Sequence, residues 1–285
     1  MSGKDLASRA ENTWCPGCGN FPIQRALKDI LAEMTGEGFP LENFILVAGI
    51  GQHAKIFDFM NVNGFYSLHG RTIPVATGIK IANPDLTVLC VTGDGDCYAE
   101  GLEHLIFAAK RNIDITVIVH NNRVYGLTTG QYTPTSPYQF PGRSTPGGVK
   151  EYPLNPMELM LSAGAGFIGR AYTLQYEGLR RVMHEGLMHR GFSFIDILQI
   201  CVTYNNLTEY YNSRVYSWEE EDTVRDFDAA CVKAREWDYN RDAQIGLGVL
   251  YRHDAPTFEE NHPVPEPRTP DEREEIIARI LEKRL

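Results

Sequence analysis

The sequence LTVLCVTGDGDCYAE at residues 86–100 decides the fold class of this chain. Its first part, Leu86 to Thr92, is a continuous apolar and β-branched run, which is typical of a parallel strand buried on both faces. The pattern that follows predicts a helix from Tyr98 to Arg111 and a second buried strand from Ile113 to Val119. A strand, a helix and a strand in this order form a right-handed βαβ unit, so the sequence predicts an α/β fold with an open parallel sheet and helices on both faces.

Elements of the same kind are predicted on either side of this unit. Asn20 is a candidate N-cap for a helix from Phe21 to Met34, whose apolar residues fall on one face. A strand from Phe44 to Ala48 runs into the turn Gly49-Ile50-Gly51, and residues 129–155, rich in Pro, Gly, Ser and Thr, are predicted to form a long loop. Further helices and strands are predicted at residues 72–83, 156–164, 176–190, 193–198 and 246–251, and from Thr269-Pro270 onward.

The composition of the 285-residue chain narrows the classes of function. A net charge of -10 argues against a general nucleic-acid binder, which normally presents a basic face. The N-terminus has no apolar run of a secretory signal, and no stretch approaches the roughly 18–20 apolar residues of a membrane helix. Six cysteines are too few and too spread for a disulfide scaffold, and a close cysteine pair in a reducing compartment indicates catalysis or metal binding. We therefore expect a cytoplasmic protein that binds neither nucleic acid nor membranes.

Two polar turns follow the two central strands. Gly93-Asp94-Gly95-Asp96 follows the first strand and Asn121-Asn122 the second, and ligands of open α/β sheets bind at this edge. The glycines allow close approach of a diphosphate, and the following helix directs the positive end of its dipole toward it. Asp94 and Asn122 offer hard oxygen ligands suited to Mg²⁺, with the backbone carbonyl of Val124 as a third. We therefore predict a diphosphate–Mg²⁺ site in which Asp96 braces the loop or contacts the cofactor.

These motifs have plainer interpretations as well. Gly-Asp-Gly and Asn-Asn are common in unrelated turns, and an EF-hand fits poorly because Tyr98 and Ala99 occupy positions that need a ligand and a glycine. The pair Cys15 and Cys18 suits a thioredoxin-like dithiol, a structural zinc site or an iron–sulfur cluster. The polar segment before Trp14 offers no preceding strand for a dithiol, and a zinc site would need four nearby ligands.

Several motifs resemble one known family. GDGD, followed by NNRVYGLTTGQ, resembles the thiamine-diphosphate motif of the β subunits of 2-oxoacid:ferredoxin oxidoreductases. Other segments that match in the family's order are WCPGCG (14–19), LHGR (68–71), PVATGIKIANP (74–84), FSFIDILQICVTYNN (192–206) and IGLGVLYRHDAPTFEE (245–260). The resemblance covers most of the chain. It implies a thiamine-diphosphate-binding fold for residues 1–215, which also carry the iron–sulfur cysteines, and an irregular C-terminal extension at residues 216–285 that packs on this domain or on a partner subunit.

The resemblance also implies the cofactors, which are thiamine diphosphate, Mg²⁺ and a [4Fe-4S] cluster. The thiolate ligands that it implies for the cluster are Cys15, Cys18 and Cys201. The family usually places a fourth cysteine after the Gly-Ile-Gly turn, but this chain has Gln52 there, followed by His53. The fourth ligand is thereby left open between His53, Cys97 and a ligand from outside the protein.

Further side chains are expected around the cofactor. The family pattern places a residue beside the substrate pocket at Lys55, where a lysine would pair with the distal carboxylate of 2-oxoglutarate; a solvated surface lysine is the alternative. His69 and Arg71 in the LHGR loop are expected to face the cofactor, with a structural histidine as the alternative. Leu127 and Thr128 are expected to pack near the diphosphate, with the threonine as a hydrogen-bond donor.

The activity that the resemblance implies is the CoA-dependent oxidative decarboxylation of a 2-oxoacid, 2-oxoglutarate before pyruvate, to acyl-CoA and CO₂, with electrons passing through the cluster to ferredoxin. In the family a partner α subunit supplies the carboxylate that activates the cofactor, so the chain is expected to act only as an αβ pair, itself doubled. A non-redox thiamine-diphosphate decarboxylase or carboligase subunit is one alternative, favoured by Gln52. A non-catalytic or zinc-stabilised binding subunit is another, against which the retained Asp94 and Asn122 argue.

Overall fold

A single sheet organises the molecule. Our computed structural model describes residues 6–218, 225–263 and 270–282, and within these ranges eight strands form that sheet. In chain order the strands are β1 (Phe44–Ala48), β2 (Asn63–Tyr66), β3 (Thr87–Gly93), β4 (Thr116–Asn121), β5 (Phe167–Tyr172), β6 (Ser193–Leu198), β7 (Val215–Ser217) and β8 (Ile245–Arg252). Their order across the sheet is β2-β1-β3-β4-β6-β5-β8-β7. Neighbouring strands are parallel apart from β5 and β8, which run antiparallel.

Helices cover both faces of this sheet. Within the described ranges they are α1 (Asn20–Gly36), α2 (Thr72–Ala82), α3 (Leu102–Arg111), α4 (Pro156–Ala163), α5 (Tyr176–Met188), α6 (Thr208–Asn212), α7 (Phe227–Ala234), α8 (Phe258–Asn261) and α9 (Pro270–Glu282). α1 and α5 bury their apolar stripes on one face, whereas α2, α3, α4 and α7 pack on the other. The α/β class and the helices on both faces, predicted from the sequence, are confirmed.

The central βαβ unit is confirmed as well. β3 and β4 pair in parallel with Gly93 opposite His120, and almost all of their residues are buried. β1 and β6 have the predicted bounds. The stretch at residues 129–155 contains neither helix nor strand, as predicted for a long loop. The loops that follow β3 and β4 therefore start side by side at one edge of the sheet.

Two local predictions were wrong. Gly19, and not Asn20, occupies the N-cap position of α1, and Asn20 is already helical. The Asn20 side chain does not cap because its Oδ1 instead lies 2.8 Å from Nδ1 of the buried His120. The helix predicted to start at Tyr98 is in fact preceded by a π-helical turn, Asp96–Glu100, and α3 starts at Leu102. Such turns are frequent at functional sites.

The C-terminal part contributes to the sheet. β8, which lies in the predicted extension, pairs with β5, and α7 packs against α4. The division of the chain at residue 215 stays a prediction. Thr269, predicted at the start of the final helix, lies outside the described residues. No helix within the described ranges is long and apolar enough to cross a membrane.

Candidate active site at the strand ends

The topology of the sheet creates a crevice where β1 and β3 lie side by side. The chain leaves β1 toward β2 on one side and returns in β3 on the other, so the order of the strands reverses at this point. Ligands of open α/β sheets bind at such a switch point. A cavity lies there, and we call it the strand-end cavity. The predicted site residues that line it are His69, Gly93, Asp94, Gly95, Asp96, Asn122, Val124, Leu127 and Thr128.

Asp94 is buried directly after β3, and hydroxyl groups hold it. Thr135 Oγ1 donates to Asp94 Oδ2 at 2.9 Å and lies at the same distance from Asn121 Oδ1. Burial raises the pKa of Asp94 to about 6, against the opposing effect of hydrogen bonds from Thr133 and Thr135. Because burial disfavours the charged carboxylate, a cation beside it would relieve this penalty. The environment of Asp94 therefore fits a metal ligand.

Asp96 has the opposite surroundings and acts as a brace. The Gly70 N–H donates to its Oδ1 at 2.7 Å, and Thr92 Oγ1 donates to its Oδ2 at 2.7 Å. His69 Nδ1 lies 3.1 Å from Oδ1 and His53 Nε2 lies 3.5 Å from Oδ2. Burial alone would raise the pKa of Asp96, but its contacts with His53, Gly70 and Thr92 hold that pKa below the usual value. Asp96 thus ties the end of β3 to the two loops that flank it.

The turn after β4 is fixed by a residue in a left-handed conformation. Arg123 has a φ of 63°, and Asn122 Oδ1 accepts a hydrogen bond from the Val124 N–H at 3.0 Å. The buried Arg123 side chain donates to the carbonyl of Thr135 at 2.7 Å and to the carbonyl of Tyr239. Since Thr135 also holds Asp94, one network positions both predicted metal ligands.

Two glycines are required by the close approach of rings. A Cβ atom on Gly95 would lie 2.1 Å from the ring of Tyr125, and a Cβ atom on Gly93 would lie 2.7 Å from the ring of His53. Either substitution would move a ring that borders the strand-end cavity. The Gly-Asp-Gly motif is therefore set by packing as well as by the approach of a ligand.

Arg71 and Lys55 do not line the strand-end cavity formed by the described residues. Arg71 Nη1 donates to the carbonyl oxygens of Gly70 and Glu100, at 3.1 and 2.9 Å, and holds the loop after β2 against the π-helical turn. Lys55 is half-buried in the 3-10 turn His53–Ile56. The predicted contacts of Arg71 with the cofactor and of Lys55 with the substrate stay predictions.

His120 is a residue of the strand-end cavity that the sequence analysis missed. Its ring centroid lies 5.9 Å from that of His53. Burial, and then the nearby His53, lower the pKa of His120 well below its usual value, so the ring is neutral. Its Nε2 has no hydrogen-bond partner among the described residues. The position of His120 in the sequence could have revealed it, because it is the penultimate residue of β4 and directly precedes Asn121-Asn122.

A second cavity adjoins the first, and we call it the cysteine cavity because Cys15, Cys18 and Cys201 line it. The first two cysteines come from the turn before α1, in which the Cys18 N–H donates to the Cys15 carbonyl at 3.0 Å, and Cys201 follows β6. The residues that line both cavities are Asn20, Gln52, Asn122, Gly126, Leu127 and Gln199. The three predicted cysteines thus meet behind a wall shared with the strand-end cavity.

Burial and hydrogen-bond donors surround the thiols of this cavity. Burial raises the pKa of the Cys18 thiol to about 11, and Cys201 and Cys15 add to the rise, so a thiolate there needs positive charge nearby. Gln199 Nε2 donates to Cys18 Sγ at 3.6 Å, and Thr203 Oγ1 donates to Cys15 Sγ at 3.5 Å. No three His, Cys, Asp or Glu side chains of the described residues are grouped to hold a single metal ion. Three cysteines on one cavity are the type of donor that iron–sulfur clusters take.

Comparisons with known proteins agree with this geometry. The family model of the C-terminal, thiamine-pyrophosphate-binding domain of thiamine pyrophosphate enzymes matches residues 49–197, and that of the C-terminal part of the pyruvate ferredoxin oxidoreductase β subunit matches residues 201–266. The chain is 39% identical over 267 residues to subunit β of 2-oxoacid:ferredoxin oxidoreductase 1 from Aeropyrum pernix, covering 88% of this chain and 82% of that protein. It is 43% identical over 206 residues to the 2-oxoglutarate oxidoreductase subunit KorB of Mycobacterium tuberculosis, covering 72% and 54%.

A solved structure is similar over nearly the whole chain. The 2-oxoglutarate:ferredoxin oxidoreductase from Magnetococcus marinus, with 2-oxoglutarate, coenzyme A and succinyl-CoA bound, has a TM-score of 0.87 at 32% identity and covers 98% of this chain and 95% of that chain. The matched domain at residues 49–197 contains the strand ends and the Gly-Asp-Gly motif. The chain therefore belongs to the β subunits of the 2-oxoacid:ferredoxin oxidoreductases, which depend on thiamine diphosphate.

Proposed function

We propose that this chain, together with its α subunit, binds Mg²⁺ and thiamine diphosphate in the strand-end cavity and a [4Fe-4S] cluster in the cysteine cavity. In this form it catalyses the CoA-dependent oxidative decarboxylation of 2-oxoglutarate and passes the electrons to a ferredoxin. The observation that carries the proposal is the wall that the two cavities share. Because of this wall, thiamine diphosphate in one cavity and the cluster in the other would be neighbours. A non-redox decarboxylase would have no use for three cysteines at that wall, so this alternative is not favoured.

Three oxygen atoms are assigned to Mg²⁺ in this proposal. They belong to the carboxylate of Asp94, the side-chain amide of Asn122 and the backbone carbonyl of Val124. Asn122 Oδ1 accepts one hydrogen bond, from the Val124 N–H, and so keeps a lone pair for the metal. When bound, thiamine diphosphate supplies the electron sink that decarboxylation requires. Gly93 and Gly95 line the cavity in which its diphosphate would lie.

Leu127 and Thr128 border the strand-end cavity beside this metal position. Both are exposed in the chain alone. Thr128 Oγ1 lies 2.6 Å from Gln131 Oε1, to which it donates a hydrogen bond. We assign Leu127 to packing against the cofactor and Thr128 to donation toward its diphosphate, which would require the hydroxyl to turn away from Gln131.

The cluster is assigned to the thiolates of Cys15, Cys18 and Cys201. Hydrogen bonds to cluster sulfurs tune the reduction potential, and the side chains of Gln199 and Thr203 already donate to two of these sulfur atoms. The cysteines of the described chain are all free, which fits a reducing compartment, and we place the enzyme in the cytoplasm.

The choice of 2-oxoglutarate rests on the solved relative that binds it and on Lys55 in the turn after β1. A Lys55→Ala complex should show a higher KM for 2-oxoglutarate and an unchanged KM for pyruvate, because only the former carries a distal carboxylate. Lys110→Ala, at the end of α3, is the matched control. Equal changes for both substrates would remove Lys55 from substrate recognition.

Family membership gives the chain an α subunit as its partner. We propose further that two αβ pairs assemble, that ferredoxin is the electron acceptor, and that coenzyme A takes the acyl group. The last assignment is supported by the Magnetococcus marinus relative, which holds coenzyme A and succinyl-CoA. The expected oligomer is checked by light scattering of the co-expressed subunits.

The deciding experiment is to measure iron, acid-labile sulfide and thiamine diphosphate in the αβ complex purified without oxygen. We expect about four iron and four sulfide per chain of this sequence, and bound thiamine diphosphate. Cys201→Ser should lower iron and sulfide but not thiamine diphosphate, whereas Cys231→Ser in α7 should lower neither. Iron near zero in a complex that retains thiamine diphosphate would refute the redox function and leave the non-redox decarboxylase.

A further inference from the structure

Gln52 lines the cysteine cavity together with the three cysteines. Its side-chain Oε1 is buried and has no hydrogen-bond partner among the described residues. Its backbone carbonyl accepts a hydrogen bond from the indole N–H of Trp14 at 2.7 Å. Because Trp14 directly precedes Cys15, this bond holds Gln52 beside the cysteine turn. A buried carboxamide oxygen without a partner is costly in an isolated chain, so it calls for a ligand.

The two other protein groups considered for the fourth ligand are used elsewhere. His53 packs against Gly93, contacts Asp96 at 3.5 Å, and lines the strand-end cavity but not the cysteine cavity. Cys97 lies in the apolar core between the sheet and α3, where it is 2% exposed, and it lines neither cavity. The described structure therefore removes both from the list.

Gln199 is the other glutamine of the cysteine cavity, and the hydrogen bonds that its amide nitrogen donates hold its side chain in place. Gln199 Nε2 donates to Cys18 Sγ at 3.6 Å and to the Ile200 carbonyl at 2.8 Å. Its Oε1 also lacks a partner among the described residues. The two hydrogen bonds fix the Gln199 side chain as a donor to a cluster sulfur, whereas among the described residues no hydrogen bond fixes the side chain of Gln52.

We propose that the side-chain oxygen of Gln52 binds the fourth iron of the cluster, so that the site has three thiolates and one neutral carboxamide. This inference rests on the proposed function, because it needs the cluster that the proposed function places in the cysteine cavity. A lone pair of Oε1 forms the iron–oxygen bond, and no electron or proton is transferred. The fourth iron is then held by a neutral, harder ligand than a thiolate, and the whole cluster carries one negative charge fewer.

Two consequences follow from the smaller negative charge of the cluster and from the iron–oxygen bond, which is weaker than an iron–thiolate bond. The reduced cluster is less destabilised by its own negative charge, so its reduction potential lies above that of the same cluster with four thiolates. The fourth iron is also the one lost on mild oxidation. In that step a [4Fe-4S]²⁺ cluster gives up one electron to ferricyanide and releases one Fe²⁺, leaving [3Fe-4S]⁺.

The test uses the αβ complex purified without oxygen and treated with ferricyanide, with release of Fe²⁺ followed by a chromogenic chelator and [3Fe-4S]⁺ by electron paramagnetic resonance. We expect Gln52→Cys, which restores a fourth thiolate, to slow iron release by on the order of tenfold or more and to lower the reduction potential. Gln175→Cys is the matched control, with the same substitution outside the cysteine cavity, and should release iron at the wild-type rate.

A second measurement does not depend on the folding of the cysteine variant. Mössbauer spectra of the ⁵⁷Fe-labelled wild-type complex should show one iron in four with parameters of an oxygen-ligated site, and Gln52→Ala should change that subsite. An unchanged subsite in Gln52→Ala would mean that water is the ligand and would overturn the proposal. Equal iron release in wild type and a folded Gln52→Cys complex would also overturn it and leave the cluster and the proposed function standing. A wild-type complex without iron would refute the proposed function, and this inference with it.

Discussion

The strand-end cavity and the cysteine cavity share a wall, but the chain builds them in different ways. Asp94 and Asn122 in the first follow directly on two paired strands, and Asp94 is 2% exposed. The cysteine cavity is lined by an N-terminal turn, by Gln52 after β1 and by a loop after β6. Cys15, in the N-terminal turn, is exposed. The sheet fixes the geometry of the first cavity, whereas packing between distant segments fixes that of the second.

Because of this difference, we expect that a substitution can disrupt one of the two cavities and leave the other intact. Substitutions in the strand-end cavity should affect binding of thiamine diphosphate and leave the thiols in place. Substitutions at the contacts of the N-terminal turn should loosen the cysteine cavity and leave thiamine diphosphate bound. Four substitutions, ordered from the largest expected effect to the smallest, would break or sharpen this contrast.

Replacement of Asp94 by Ala should have the largest effect. It removes the one charged metal ligand, so Mg²⁺-dependent affinity for thiamine diphosphate should fall by about 100-fold or more, which exceeds the loss known for residues that only hydrogen-bond to a metal ligand. Isothermal calorimetry of the αβ complex measures this, with the exposed Asp85→Ala as control. Unchanged affinity would refute the metal assignment, and a parallel loss of iron would show that the two cavities do not fail separately.

Replacement of Asp96 by Asn should act on stability rather than on the metal. The amide keeps one acceptor oxygen and loses the other, so the bond from the N–H of either Gly70 or Ile50 is broken in a buried place, at a cost of about 2 kcal/mol. Hydrogen exchange should become about 30-fold faster at the backbone N–H that loses this bond. Asp94→Asn, in the complex freed of cofactor, should not speed exchange there, because burial already disfavours the charge of that carboxylate. Equal effects of the two substitutions would contradict the separate roles of brace and ligand.

Replacement of Thr135 by Val tests the network behind Asp94. The valine fills the space of the threonine but cannot donate to Asp94, so affinity for thiamine diphosphate with Mg²⁺ should fall by about tenfold, as for other supports of a metal ligand. Thr116→Val, which removes a buried bond to the Gly186 carbonyl, should leave that affinity unchanged. A loss of equal size in both variants would indicate a general loss of stability.

Replacement of Trp14 by Phe should have the smallest effect and confine it to the cysteine cavity. Phenylalanine can keep the edge-on contacts with Phe21 and Phe59 but loses the hydrogen bond to the Gln52 carbonyl, worth about 1 kcal/mol. Hydrogen exchange of residues 13–18 should become roughly fivefold faster, and affinity for thiamine diphosphate should not change. Unaltered exchange would mean that ring packing alone holds the N-terminal turn.

The parts of the site that follow from the sheet were predictable from the sequence. Asp94 and Asn122 were found because a buried strand, a helix and another buried strand leave two adjacent ends at one edge. Cys15 and Cys18 stood out as a close pair, but Cys201 was joined to them only through the resemblance to a family, since nothing local brings Cys201 to Cys18. The strand β5 was missed because Gly169 and Arg170 interrupt its apolar pattern, although both are buried.

Tertiary contacts decided what the sequence analysis could not reach. Thr135 lies in a loop without periodicity, and its bond to Asp94 depends on how Arg123 holds that loop. The capping preference of Asn20 was overridden by a partner on β4, His120. At Asn20 a short-range pattern competes with a buried polar group that needs a hydrogen bond, and the buried group prevails.

The antiparallel pairing of β5 with β8 matters for folding while the chain is being synthesised on the ribosome. β5 and β6 emerge together, but β8 is synthesised after more than forty further residues, which separate Leu198 from Ile245. Until then β5 is an open edge, with Phe167 and Ile168 uncovered and a row of unpaired backbone groups that can recruit another chain. A nascent chain arrested before β8 is therefore expected to aggregate or to bind a chaperone until β8 pairs with β5.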